Sequence, residues 1–222
     1  MKRIIIFDGL DCIGKTTVIS NLELELKHNN FIPYIFHLAG PGDYCKKYFN
    51  EIEITNLNKS LIQWTKFIQL YETFSVILSA NPRNIIILDR SPYSELIWEK
   101  FFNRISELNC KNNILMFCEY FNKLSDEIQF IHLDVNTKLI EERLYKKQED
   151  LLNYNNYGMS IYNSMSTIEQ TNVALAIETL KKEFYDLYKI LTKYNIEVSF
   201  LENNTLSDIK NICNFVINKL II

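Results

Sequence analysis

The chain has 222 residues, of which 47% are apolar and 13% aromatic, enough to bury a full core in one large domain and too few for two comfortable ones. Charged residues make up 23% and the formal net charge is only −3, so the basic footprint of a nucleic-acid partner is missing. Five cysteines (Cys12, Cys45, Cys110, Cys118, Cys213), an odd number with no CxxC pair, read as reduced thiols and not as a disulfide framework or zinc site.

In chain order, the opening "MKRIIIFDG" is too short in apolar residues for a secretory leader and reads as the first strand, Arg3–Asp8. A helical pattern follows over Thr16–Lys27, then a second strand over Phe31–His37 and a helix over roughly Lys59–Ala80. "NPRN" at Asn81–Asn84 stops that helix before a third strand, Asn84–Asp89. Helices are expected over Tyr93–Ile105 and Ile114–Leu124, a fourth strand over Ile128–Asp134, and a helix over Thr137–Lys147. The polar, Asn/Tyr-rich segment Gln148–Thr167 reads as a mobile loop; a helix over Ile168–Lys193, a strand over Ile196–Leu201 and a helix over Leu206–Leu220 complete the chain. Near-continuous apolar strands alternating with helices predict an α/β fold, a parallel sheet covered on both faces and joined by right-handed crossovers. No apolar run approaches the roughly 20 residues of a membrane span. The expectation is one cytoplasmic domain over residues 1–222, with neither a membrane nor a nucleic acid as partner.

The first strand-to-helix turn carries the chemistry. Gly9-x-x-x-x-Gly14-Lys15-Thr16 fits GxxxxGK[ST], with a buried strand before it and an amphipathic helix after it. Glycines let the backbone curl so that successive N–H groups point at phosphate oxygens, and the helix terminus adds its partial positive charge. Gly9, Leu10, Asp11, Cys12, Ile13, Gly14, Lys15, Thr16 and Thr17 are therefore expected to hold the phosphates of a nucleoside triphosphate. Lys15 would reach the outer phosphates and the Thr16 hydroxyl would ligate Mg2+. Asp89 and Arg90 end the third strand at the carboxyl edge, where open α/β sheets bind ligands; the acid can serve Mg2+ and the arginine can bridge donor and acceptor phosphates. The guanine-reading NKxD and the Asp-Glu-terminated run of longer ATPases do not occur.

These blocks resemble the thymidylate kinase branch of the nucleoside and nucleotide kinases. "FDGLDCIGKTT" is similar to that family's opening, with Asp8 where the family has Glu; "LDRSPYSELIW" resembles its Asp-Arg-x-x-x-Ser block through Asp89, Arg90 and Ser94; and "IQFIHLDVNTKLIEERLYKKQED" resembles its fourth strand and the helix leading to a basic lid. The resemblance implies a P-loop fold of three layers, with a five-stranded parallel sheet and a lid at about residues 143–167, and γ-phosphoryl transfer from ATP to a deoxynucleotide, with dTMP favoured. It implies that Asp11 faces the acceptor sugar's 3′-hydroxyl, that Arg90 clamps the acceptor phosphate, and that Arg143, Lys146 and Lys147 bring lid charge to the transferred group. Positions i, i+3 and i+4 share a helix face, consistent with that trio. It further implies that Phe67, Tyr71 and Ser94 line the acceptor pocket and that the chain forms homodimers.

Two departures bear on the acceptor. The family's arginine after the second strand is absent from "HLAGPGDYCKK", where Lys46 or Lys47 stands nearby, and the family's base-reading arginine is replaced by Tyr71. "WTKFIQLYETF" resembles instead the deoxynucleoside kinases, which present a glutamine to the base; Trp64, Gln69 and Tyr71 match. Those enzymes use a glutamate after the second strand as base, where this chain has Ala39 and Gly40, with Asp43 further on. A deoxynucleoside kinase and a non-catalytic nucleotide-binding module thus stand as alternatives. His28 and His37 show no partner spacing for metal or nucleophile chemistry, and His132 reads as a packed, hydrogen-bonded residue.

Overall fold

In the computed structural model the described residues are 1–10, 12–38, 59–94, 97, 107–152, 173–194 and 196–221. Five parallel strands form one sheet in the order β2-β3-β1-β4-β5, where β1 is Arg3–Asp8, β2 Ile32–His37, β3 Asn84–Asp89, β4 Glu127–Asp134 and β5 Val198–Glu202. The central register pairs Phe7 with Asp89 on one side and with Ile131 on the other, so the carboxyl ends of β1, β3 and β4 share an edge. The apolar runs "RIIIFD" and "NIIILD" occupy the middle of the sheet, where Ile4–Phe7 and Ile85–Leu88 are wholly buried. The outer strands differ from the expectation of two covered faces: Ile32, Tyr34 and Ile35 on β2 and Phe200 on β5 remain exposed. An edge strand has one lateral neighbour, and its apolar content alone does not reveal that place in the sheet.

The helices among the described residues are α1 (Lys15–His28), α2 (Lys59–Ala80), α3 (Glu107–Leu124), α4 (Thr137–Leu152), α5 (Val173–Thr192) and α6 (Leu206–Ile221). They flank the sheet: α1 packs against α6 and the central strands, α2 against β3 and α3, and α5 against α4 and β5. Helix α4 begins at the Asn136 side chain, whose Oδ1 accepts from Lys138 N at 3.0 Å. It runs through Leu152 instead of ending at Lys147, because the Gln, Glu and Leu of "QEDLL" are strong helix formers. The rest of the expected loop, and most of the helix expected over Tyr93–Ile105, lie outside the described residues.

The core beneath the site is aromatic. Tyr93 is fully buried with its ring centroid 5.6 Å from Phe117 and 5.8 Å from Phe130, and Phe130 meets Tyr188 at 5.4 Å. Each such ring contributes about 1.5–3 kcal/mol from burial, with more from edge-to-face contact. Among the described residues no helix is long and apolar enough to cross a membrane, and Cys12, Cys118 and Cys213 are reduced thiols.

Candidate active site

At the carboxyl end of β1 the backbone turns through Gly9 (φ +127), Cys12 (φ +62) and Gly14 (φ +87) before entering α1. A Cβ on Gly9 would stand 2.5 Å from Ile13 Cδ1 and 2.7 Å from the Leu133 carbonyl, so no side chain fits there. Gly14 occupies the N-cap of α1 without a side-chain cap, which leaves the first-turn N–H groups to an external acceptor. Lys15 is 6% exposed and folds back over the loop, its Nζ donating to Gly9 O at 3.1 Å and Leu10 O at 2.6 Å. Those carbonyls park the ammonium where an anion would recruit it.

Asp8 ties this turn to the segment after β3. Its Oδ1 accepts from Gly9 N at 2.8 Å and its Oδ2 from Ser91 Oγ at 2.5 Å. Complete burial pushes the Asp8 carboxyl above its ordinary range, against the opposing pull of Ser91, Gly9, Lys15 and Arg90. Ser94 is fully buried and donates its hydroxyl to Ser91 O at 2.8 Å, which braces the same segment.

Asp89 ends β3 beside the first turn of α1. Its Oδ2 accepts from Thr16 Oγ1 at 3.3 Å and lies 2.9 Å from His37 Nδ1, while the buried Oδ1 meets no hydrogen-bond partner among the described residues. An orphaned carboxylate oxygen next to a hydroxyl is the hard-oxygen donor set of a small divalent cation. Among the described residues no group of three or more His, Cys, Asp or Glu could cage a metal alone. Arg90 follows in the left-handed region (φ +73), held there by its N–H donating to Phe7 O at 2.9 Å. From α4, Arg143 Nη1 reaches Cys12 O at 3.4 Å, which brings a guanidinium to the loop.

The structure thus gathers Gly9, Leu10, Cys12–Thr17, Asp89, Arg90 and Arg143 at one sheet edge. Tyr71 lies on α2 with its ring edge-on to Tyr120 at 5.3 Å. Phe67 and Gln69 are on α2 and Lys147 on α4, but their side chains, with that of Trp64, lie outside the described residues, as do Asp11, Asp43, Lys46 and Lys47. Lys146 is exposed on α4. Three neighbours escaped the sequence reading. His37 does have a partner, Asp89, because parallel pairing of β2 with β3 sets the two side by side. Ser91 reaches Asp8 across the sheet, and Asn203, just past β5, donates to Ile13 O at 2.6 Å. Chain separation hides all three from any local motif. His132 is packed as expected, its Nδ1 lying 2.6 Å from Tyr188 Oη.

No family model matches the chain. It is 31% identical over 152 residues to the thymidylate kinase of Campylobacter jejuni strain RM1221, a match covering 66% of this chain and 71% of that enzyme. The chain belongs to the thymidylate kinase family of P-loop nucleotide kinases. A second member, the thymidylate kinase of Campylobacter lari, is 28% identical over 190 residues, covering 80% of this chain and 89% of the relative. In fold the chain matches the thymidylate kinase of Candida albicans with a TM-score of 0.60 at 17% identity, covering 97% of this chain and 91% of the other. It also matches the deoxyadenosine kinase of M. mycoides with bound dATP, TM-score 0.58 at 19% identity, covering 96% and 98%. Membership makes this chain an enzyme, a nucleotide kinase, and the five-stranded parallel sheet is the fold of its kinase neighbours.

Proposed function

We propose that this kinase transfers the γ-phosphoryl group of ATP, bound with Mg2+, to a deoxynucleoside monophosphate, with dTMP as the favoured acceptor. The observation that carries this reading is the convergence of a buried P-loop lysine, the orphaned Asp89 oxygen and Arg90 at one sheet edge. The named activity of relatives about 30% identical supports the choice of dTMP.

The loop from Gly9 to Thr17 receives the donor phosphates on its inward N–H groups, and Lys15 exchanges its carbonyl partners for phosphate oxygens. Thr16 and Asp89 would hold the Mg2+, which would neutralise charge on the donor phosphates when bound. Arg90 and Arg143, with Lys146 and Lys147 of a lid over residues 143–167, stabilise the charge spread over the transferred group. Transfer of this kind depends on positioning and charge, and a single arginine can contribute ~10³–10⁵ in rate. A phosphate acceptor is already ionised, so no general base is needed. Asp11, Phe67, Gln69, Tyr71 and Ser94 shape the acceptor side, and the enzyme works in the cytoplasm as a homodimer.

A second reading, phosphorylation of a deoxynucleoside 5′-hydroxyl, draws on Trp64, Gln69 and Tyr71, but Ala39 and Gly40 stand where a base would be required. Label transfer from γ-labelled ATP separates the two. The panel is the four deoxynucleosides, their monophosphates and dUMP, with Lys15→Ala as control. Labelled diphosphate from a monophosphate, lost in Lys15→Ala, is the expected result. Label only on a nucleoside would replace this reading with the second.

A further inference from the structure

The phosphate loop has a support that its own motif does not contain. Asn203 follows β5, which is separated from β1 by β4, and its side chain is 4% exposed. Its backbone N–H donates to Asp134 O at 2.8 Å, which anchors the residue to the end of β4. From that anchor Nδ2 donates to Ile13 O at 2.6 Å. The same Nδ2 lies 2.7 Å from where a Cβ on Gly14 would be. Asn203 therefore packs directly under the Ile13–Gly14 peptide.

A trans peptide is a rigid plane in which C=O and N–H point in opposite directions. Fixing the Ile13 oxygen on Asn203 turns the Gly14 N–H away from Asn203. Ile13 is also held by its side chain, which is buried and fills the space beside Gly9. One residue is thus pinned at both its side chain and its carbonyl, between the two motif glycines.

We propose that Asn203 is a positioning residue for the donor triphosphate: its buried amide holds the Ile13–Gly14 peptide so that the loop's N–H groups are aimed at phosphate before ATP arrives. This rests on the reading of Gly9–Thr17 as the ATP site. An amide lost from a buried carbonyl leaves that oxygen without a partner, and the loop rotates to find one. Preorganisation lost at the loop appears in nucleotide affinity and not in acceptor affinity.

The test uses the full chain carrying Asn203→Leu, which keeps the volume but removes the donor, and Asn203→Ala, which removes both. Three quantities are read below the melting temperature of each variant: Kd for ATP, KM for the acceptor, and the rate at which Cys12 is alkylated without nucleotide, followed by peptide mass. Cys12 is half-buried within the loop and reports its geometry directly. The expected result is ATP binding weakened about tenfold in both variants. Cys12 labels faster, and acceptor KM stays within about twofold of wild type. ATP Kd and Cys12 labelling both unchanged, with only a lower melting temperature, would make Asn203 structural and overturn the proposal. Equal losses for ATP and acceptor would overturn it as well. Absence of turnover in the wild type would count against the kinase reading alone, because Cys12 labelling needs neither nucleotide nor turnover.

Discussion

At Gly9 two physical demands coincide: φ is +127, and the Leu133 carbonyl lies 2.7 Å from where a Cβ would be. Because that carbonyl belongs to the sheet edge, it cannot move aside cheaply. Gly9→Ala is expected to lower stability by about 2 kcal/mol or more. In thermal unfolding that is a loss of roughly 4–8 °C; an unchanged Tm would contradict the strain. Arg90 poses the converse case, a long side chain held at φ +73. Arg90→Gly and Arg90→Ala are both expected to lose acceptor turnover, yet the glycine variant should be about 1 kcal/mol more stable than the alanine. Equal stability of the two, by chemical denaturation, would mean the backbone there is unstrained. The turn built from Gly9, Gly14, Lys15 and Thr16 was legible in the sequence because its residues lie within a few positions of one another. His37, Ser91 and Asn203 were not, because their partners Asp89, Asp8 and Ile13 come to them only through the sheet.

Strands β1 and β3 were readable from unbroken isoleucine runs, since only the middle of a covered parallel sheet tolerates them. What such runs could not reveal was order, so the exposed faces of β2 and β5 came as a difference. Strand β4 breaks its apolar run with His132, which is packed against Phe184, Tyr188 and Phe200. The groups facing it are Tyr188 Oη, Asp134, Lys15 and Lys181. Burial, seconded by Lys15 and Lys181 and opposed by Asp134, lowers the imidazole from its ordinary 6.5 to about 4. Between those values the unfolded chain binds a proton that the folded chain refuses. Stability from this residue is therefore full above pH 6.5 and is lost as pH falls toward about 4. The loss is on the order of 3 kcal/mol across that window. His132→Asn, even if less stable at neutral pH, is expected to flatten that part of the Tm-against-pH curve; an unaltered slope would assign it to other groups.

Across the whole molecule, the order β2-β3-β1-β4-β5 places the ends of β1 and β3 beside each other, so the loop before α1 and the Asp89-Arg90 pair share one sheet edge. A ligand that binds only the folded chain stabilises it by mass action. ATP with Mg2+ at about a hundred times its Kd should add roughly 2.7 kcal/mol, or about 5–10 °C in Tm. Lys15→Ala should abolish most of that rise, and an equal shift in the variant would place nucleotide binding elsewhere. The family and the fold were legible at this scale, whereas the acceptor was not, because the residues that would read it are spread over separate segments. The most direct test is therefore the ratio of kcat/KM for dTMP to that for thymidine, in the wild type and in Arg90→Ala. If Arg90 clamps the acceptor phosphate, the ratio lies well above one in the wild type and falls by at least about a hundredfold in Arg90→Ala. A wild-type ratio below one, insensitive to Arg90, would contradict it.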